Sequence, residues 1–551
     1  MKKLLTILTS VSVLAGSVTS VISCTAPKLA EGLPGQRVVI ITDGGNIRDK
    51  SFNESSWEGV IDYGGQIGEN VDDSELVGTG LTKEDLNYES SKLVKVIDGV
   101  KDYSDAKNSS RNYVEVADKS RNGFYSAYKM ALYKQTDAML LSGFGHTDTI
   151  DELSRLMGDK TIVLLDSQVD YSGGKYKNVI SIIFKSELAG FAAGWDALMW
   201  ANVPKLDDKG NFKSDNLELQ GDANGDGIIT LGSFGGISMK LAVDNYIWGL
   251  LAAGELFNET MAGQEVTLKD NSGVEKNYKL PKVAYGNLEG SKELPDGPLA
   301  SSATDSAWFS NNFDIGGAEK SGVVPKLFKN KSDIIFPVAG PQTNDVIGHE
   351  GGGYKPFLIG VDTDQIKTVG KDTGTENRFI TSAIKGIATA AVDELKAARS
   401  LKKAEIVTPK GPKIINVNDP KKIHDGQLAE TNTDWSVSIS RNADQKYSLG
   451  QNLAIKAVDY SKNIGKILYT SLSDEVTGFA SLKSGDIRDY FTGKSIKNAI
   501  KGALNPSTES EILNKKDAQT ISVDSTIEND GIDGLVSYFN RLLKLDFGGT
   551  E

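Results

Sequence analysis

Short apolar runs recur along the chain, each ending in glycine or an acidic residue and each followed by a longer amphipathic or apolar stretch. The first, Val38 to Ile41, is mostly β-branched and reads as a strand buried on both faces that runs into Asp43-Gly44-Gly45. Polar residues from Ser51 onward precede Trp57 and Val60, so the segment predicts strand, glycine turn and helix. The alternation continues with strands from Asn112 to Val116, Ala138 to Phe144, Thr161 to Asp166 and Asn178 to Phe184. Further strands are predicted from Ile228 to Phe234, Val283 to Gly286, Asp333 to Val338 and Phe357 to Val361. Helices are predicted from Gly123 to Tyr133, Thr149 to Met157, Leu188 to Trp200 and Met239 to Leu256, and Thr381 to Lys385 is read as opening a helix to about Arg399. Such alternation in two similar halves is the pattern of an α/β protein with parallel sheets. Ligands of these sheets sit beyond the carboxyl ends of the strands, which would put Asp43, Phe52 and Asn53 at the mouth of a crevice. A carboxylate, a ring and an amide together suit a small, polar, planar molecule. The same residues also fit a solvated turn, with Asp43 capping the helix and Phe52 in the core.

The rhythm lapses from about Asp72 to Arg111, which reads as a surface insertion. Past Ala404 it lapses again, leaving an edge-strand pattern from Trp435 to Ser440 and helical patterns at Asp486–Ala503 and Asp533–Leu545. The stretch Asp222-Ala223-Asn224-Gly225-Asp226-Gly227 matches the first half of a calcium loop, but Ser233 stands at the twelfth position where a bidentate glutamate is needed. Asp222, Asn224 and Asp226 are therefore a weak metal candidate, and an acidic hairpin is the better reading. The Gly190/Gly194 spacing permits a helix to pack closely.

Length and charge narrow the class. A chain of 551 residues has room for two domains, and its 39% apolar and 25% charged composition is that of a soluble globular protein. The net charge of −13 repels phosphate backbones and excludes nucleic acid as a partner. Lys2 and Lys3 followed by a serine- and threonine-diluted apolar run form a signal peptide over 1–23. Val21-Ile22-Ser23-Cys24 looks like a lipobox, so Cys24, the only cysteine, is expected to carry a lipid anchor with 24–36 as a tether. A single cysteine also excludes intramolecular disulfides and cysteine-based metal sites.

Eight segments in order carry a resemblance: TDGGNIRDKSFNESSWEG, VLLDS, NVISIIFKSELAGFAAGW, GSFGG, NNFDIGGA, IIFPVAGPQTNDV, IGVDTDQ and TSAIKG. From Val38 to about Arg399 the chain resembles the basic-membrane-protein family of ABC-transporter substrate-binding lipoproteins, which bind purine and other nucleosides. The resemblance implies a type I periplasmic-binding-protein fold, with two Rossmann-like lobes joined by crossover strands and closing on the ligand. It divides the chain into a first lobe over 37–180, a second over 181–358, a return to the first over 359–403, and a region over 404–551 that completes the lobes and extends them. It also implies that Asp43 and Asp166 accept from ribose hydroxyls with Asn53 beside them, and that Phe52 and Phe313 sandwich the base. Gly340 would meet the ligand by its backbone, Asp362 would bind its polar atoms, and Lys385 would reach in from a helix start. The aromatic loop departs from the family's pattern, so Trp308 or Phe309 could replace Phe313. The implied partners are a nucleoside, an ABC permease and, through the anchor, the membrane. No cofactor is implied, and no clustered acid and base suggests an enzyme; His146, at a strand end, is read as a turn residue. Capture of a sugar or other small solute, or a role as a surface antigen, remain alternatives on the same fold.

Overall fold

The computed structural model describes residues 38–70, 95–97, 100–102, most of 112–395, 437–442 and 491–504. The signal peptide, Cys24, the tether, most of the 72–111 insertion and residues 533–545 lie outside the described residues. No described helix is long and apolar enough to cross a membrane.

Two sheets form the framework. In the first, β1 (Val38–Thr42), β2 (Tyr113–Val114), β3 (Ala138–Ser142), β4 (Thr161–Leu165) and β5 (Val179–Ile182) are all parallel, in the order β2-β1-β3-β4-β5. The helices α1 (Phe52–Asn70), α2 (Arg121–Tyr133) and α3 (Ile150–Met157) connect them. Strands covered on both faces need apolar side chains on both, and every residue of β1, β3 and β5 is buried.

The second sheet comprises β6 (Thr230–Gly235), β7 (Ala284–Tyr285), β8 (Ile334–Val338), β9 (Phe357–Asp362), β10 (Phe379–Lys385) and β11 (Val437–Arg441), in the order β7-β6-β8-β9-β10-β11. Only β11, on the edge, is antiparallel. The first five strands repeat the topology of the first sheet: the second strand is at one edge, next to the first, and the third lies on the first strand's other side. In this doubly wound order ligands sit at the switch point between the first and third strands. The fold thus has two such points, one per lobe.

Two expectations change here. Residues 359–403 were expected to return to the first lobe, yet β9 and β10 pair within the second sheet. The helix that follows, residues 387–395, does lie on the first lobe: a Cβ on Gly59 of α1 would come within 2.7 Å of Ala391. Lys385 is correspondingly the last residue of a strand, not the start of a helix.

After β5, α4 (Ser186–Ala201) packs on α5 (Asn245–Thr260), and both lie against the second sheet. Every residue of α4 is buried, which explains its lack of a polar face. A Cβ on Gly190 would lie 2.2 Å from the Tyr246 carbonyl oxygen, and one on Gly249 would lie 2.1 Å from that of Glu187. The two helices therefore touch backbone to backbone. In the C-terminal region, Gly493–Leu504 form a helix whose Ser495 hydroxyl accepts from the Trp248 indole N–H at 3.3 Å.

Candidate ligand-binding cleft

A cleft with about 710 Å³ of empty space, its open mouth included, lies where the two switch points face each other. Its walls are strand ends and the turns after them: Asp43 to Gly45 after β1, Gly143 and Phe144 after β3, and Asp166 after β4. From the second lobe come Val338 ending β8, Gly340 and Pro341 after it, Asp362 ending β9 and Lys385 ending β10. Asp49, Ser51, Phe52 and Asn53 enter from the loop and first turn of α1, and Phe313 and Asp314 from the loop after β7. Asp43, Phe52, Asn53, Asp166, Phe313, Gly340, Asp362 and Lys385, all singled out from the sequence, line this one cleft.

The fourth strand of each lobe ends the same way. Asp166 and Asp362 both adopt left-handed backbone, at φ 61° and 62°. Non-glycine residues in this region are uncommon, and strain of this kind gathers at ligand sites. Between these two aspartates sits Lys385, which is 2% exposed. Its ammonium donates to Asp166 Oδ2 at 2.7 Å and to the Ala242 carbonyl at 3.0 Å, with Asp362 Oδ1 at 3.6 Å. Asp362 Oδ2 accepts from the Ser51 hydroxyl at 3.2 Å. Burial pushes the Asp166 carboxyl up from its ordinary value, and the Lys385 charge works against that.

Asp49 caps α1, accepting from the backbone N–H groups of Ser51, Asn53 and Glu54 and from the Asn53 side-chain amide. That leaves Asn53 Oδ1, like Asp166 Oδ1, buried and without a hydrogen bond from the protein. Desolvation is the main reason the Asp43 carboxyl is pushed up to about 7, against the Gly145 N–H and Lys119, which lower it. Five acidic side chains (Asp43, Asp49, Asp166, Asp314, Asp362) and two basic ones (Lys119, Lys385) line the cleft. With Lys385 occupied and Lys119 paired with Asp314 at 3.5 Å, the walls favour hydrogen-bond donors and disfavour anions.

Phe313 stacks at a tilt on Phe144, centroids 5.8 Å apart, and both rings line the cleft with Phe52. Trp308 and Phe309 are buried instead against Phe491, with centroids at 5.2 and 6.5 Å, and are not lining residues. Phe313 is therefore the ring that its loop presents. Phe144 and Asp49 had not been singled out. An aromatic between two glycines at a strand end was the available signal for the first, and a carboxylate two residues before Ser51 for the second. His146 is buried away from the cleft, hydrogen-bonded to the Tyr128 hydroxyl and the Ile41 carbonyl, and burial pushes its imidazole down to about 3.

In the acidic loop, Asp222 turns its carboxylate onto the N–H groups of Gly225, Asp226 and Gly227. Asn224 donates to Asp333, and Lys331 lies 3.6 Å from Asp226. Asp333, just before β8, is the third carboxylate near Asp222 and Asp226. One carboxylate oxygen from each of Asp222, Asp226 and Asp333 lies within 4.8 Å of the others, a grouping that could hold a metal ion.

No family model matches the chain, and no curated protein matches it. Among solved structures, it is similar to a solute-binding protein of an ABC transporter system from Aeropyrum pernix K1, at 14% identity over 92% of this chain and 99% of that one, TM-score 0.41. A solute-binding protein from Burkholderia graminis C4D1M in complex with D-arabinose matches at 11% identity over 70% and 93%, TM-score 0.35. A 5-methylthioribose transporter solute-binding protein from Thermotoga lettingae TMO matches at 12% over 69% and 84%, TM-score 0.34. Likeness at this level carries no argument about ligand or role.

Proposed function

We propose that this chain is the substrate-binding lipoprotein of an ABC importer, of the basic-membrane-protein kind, and that it captures a nucleoside between its lobes for delivery to a permease. The observation that carries the reading is the pair of buried acceptors, Asp166 Oδ1 and Asn53 Oδ1, that take no hydrogen bond from the protein and belong to residues lining a cleft with Phe52, Phe144 and Phe313. A buried acceptor left unmade costs about 1 to 3 kcal/mol, so a ligand that donates to both recovers that amount. Ribose hydroxyls supply such donors and a purine supplies the flat apolar surface that rings hold. The acidic excess disfavours a phosphate, which separates a nucleoside from a nucleotide. Cys24 holds the protein to the outer face of the membrane through its lipid. Mass spectrometry of the protein isolated without denaturation tests the reading: a co-purifying nucleoside supports it, and a co-purifying free sugar or amino acid overturns it.

A further inference from the structure

We infer that the lobes divide the work of the cleft: the first lobe reads the ligand's polar groups, while Lys385 and Asp362 of the second form a latch that holds the lobes together and positions Asp166. The inference rests on the cleft being the ligand site.

An ammonium has three N–H donors and accepts nothing. Those of Lys385 face Asp166 Oδ2 at 2.7 Å, the Ala242 carbonyl at 3.0 Å and Asp362 Oδ1 at 3.6 Å. Two of its donors are taken by hydrogen bonds to protein, and the Asp362 carboxylate lies just beyond hydrogen-bond reach of the ammonium. Asp362 faces both lobes, one oxygen 3.6 Å from Lys385 and the other accepting from Ser51 across the cleft at 3.2 Å. Among the described residues that line the cleft, the buried acceptors lacking a protein donor, Asp166 Oδ1 and Asn53 Oδ1, both belong to the first lobe, as does Asp43. What the second lobe adds is Phe313, the backbone at Gly340 and the latch.

The repeated topology explains how the latch arises. Equivalent strands of the two sheets end in left-handed aspartates, and a cation between them turns mutual repulsion into a bridge. Asp166 consequently has two tasks, one per oxygen: Oδ2 holds the second lobe and Oδ1 receives the ligand. Buried ion pairs stabilise only with near-ideal geometry, and removing one partner is costly. Lys385 is thus a positioning residue, contrary to its implied role as a ligand contact.

The test places spin labels at Tyr133→Cys, on α2, and Lys329→Cys, beyond β7, in full-length chain carrying Cys24→Ser, and measures the inter-lobe distance without added ligand. Lys385→Met should raise the ratio of open to closed populations by at least about tenfold, and Lys385→Arg should restore most of the closed population. An unchanged distance distribution in folded Lys385→Met overturns the latch. If Lys385→Met does not fold, Ser51→Ala decides in the same way: a larger open population supports the latch and an unchanged one overturns it. Calorimetry adds the second arm, in which Lys385→Met should weaken adenosine, 2′-deoxyadenosine and 3′-deoxyadenosine by the same factor. A loss that vanishes with one deoxy form would show direct contact and overturn the inference. Failure of adenosine to bind the unaltered chain would instead overturn the nucleoside reading, while the distance measurement would still judge the latch.

Discussion

Asp43→Asn is the substitution that isolates charge in the cleft. The two side chains are nearly isosteric, no cation is left unpaired by the change, and the carboxyl in question is pushed up to about 7 from an ordinary 3.8, mainly by desolvation. A ligand hydroxyl donates better to a carboxylate than to a carboxylic acid, because charge-assisted hydrogen bonds are roughly twice as strong as neutral ones. With an apparent pKa of about 7, roughly one molecule in eleven is ionised at about pH 6 and about ten in eleven at about pH 8. Adenosine affinity should therefore rise by up to about tenfold between those pH values, and binding near neutrality should release protons. In Asp43→Asn the rise should shrink to what Asp49, itself pushed up to about 6 by burial, leaves, and the affinity at about pH 8 should be lower by about fivefold to tenfold, or about 1 to 1.4 kcal/mol. The sign for stability is opposite. The folded chain keeps a proton that the unfolded chain gives up near 3.8, so Asp43's contribution to stability declines as pH rises from there to about 7. Calorimetry in buffers of different ionisation enthalpy reads both the affinity and the proton count. A flat profile in the unaltered protein, with no proton released, would refute the role given to Asp43.

Other outcomes follow from the packing. Phe52→Ala and Phe313→Ala should each weaken adenosine by at least about threefold to tenfold, from about 0.5 to 1.5 kcal/mol of ring contact beyond buried area; unchanged affinity in either would remove that ring from the site. Gly190→Val should lower the melting temperature sharply, since a Cβ would lie 2.2 Å from the Tyr246 carbonyl, and an unchanged melting curve would contradict the close helix crossing. Cys24→Ala should move the protein from the detergent to the aqueous phase on partitioning, and unchanged partitioning would contradict the lipid anchor.

Much of the site was legible because its residues are punctuation: acidic residues and glycines that terminate apolar runs, such as Asp43, Asp166, Gly340 and Asp362. Strand ends are local features, and a doubly wound sheet gathers them without further information. What went astray was non-local or ambiguous. Phe379 to Lys385 is a short buried run whose periodicity fits a strand or a helix, and the flanking chain favoured the wrong one. Nothing near Phe357 says which of two sheets its strand joins. Trp308 and Phe309 resemble Phe313 in sequence, and only Phe491, far along the chain, distinguishes the two core rings from the one at the cleft. Lys385 was found by position, but its placement between Asp166, Asp362 and Ala242 depends on three strands or turns meeting in space.

Calorimetric titration of one preparation with adenosine, adenine and adenosine monophosphate tests the nucleoside reading most directly. If Asp43, Asn53 and Asp166 accept from ribose, losing two such contacts at about 1.4 kcal/mol or more each should leave adenine at least about a hundredfold weaker than adenosine. Adenosine monophosphate should also bind far more weakly, because closure would bury its phosphate among carboxylates. Equal affinity for adenine and adenosine would contradict the account, since the ribose-reading acceptors would then contribute nothing.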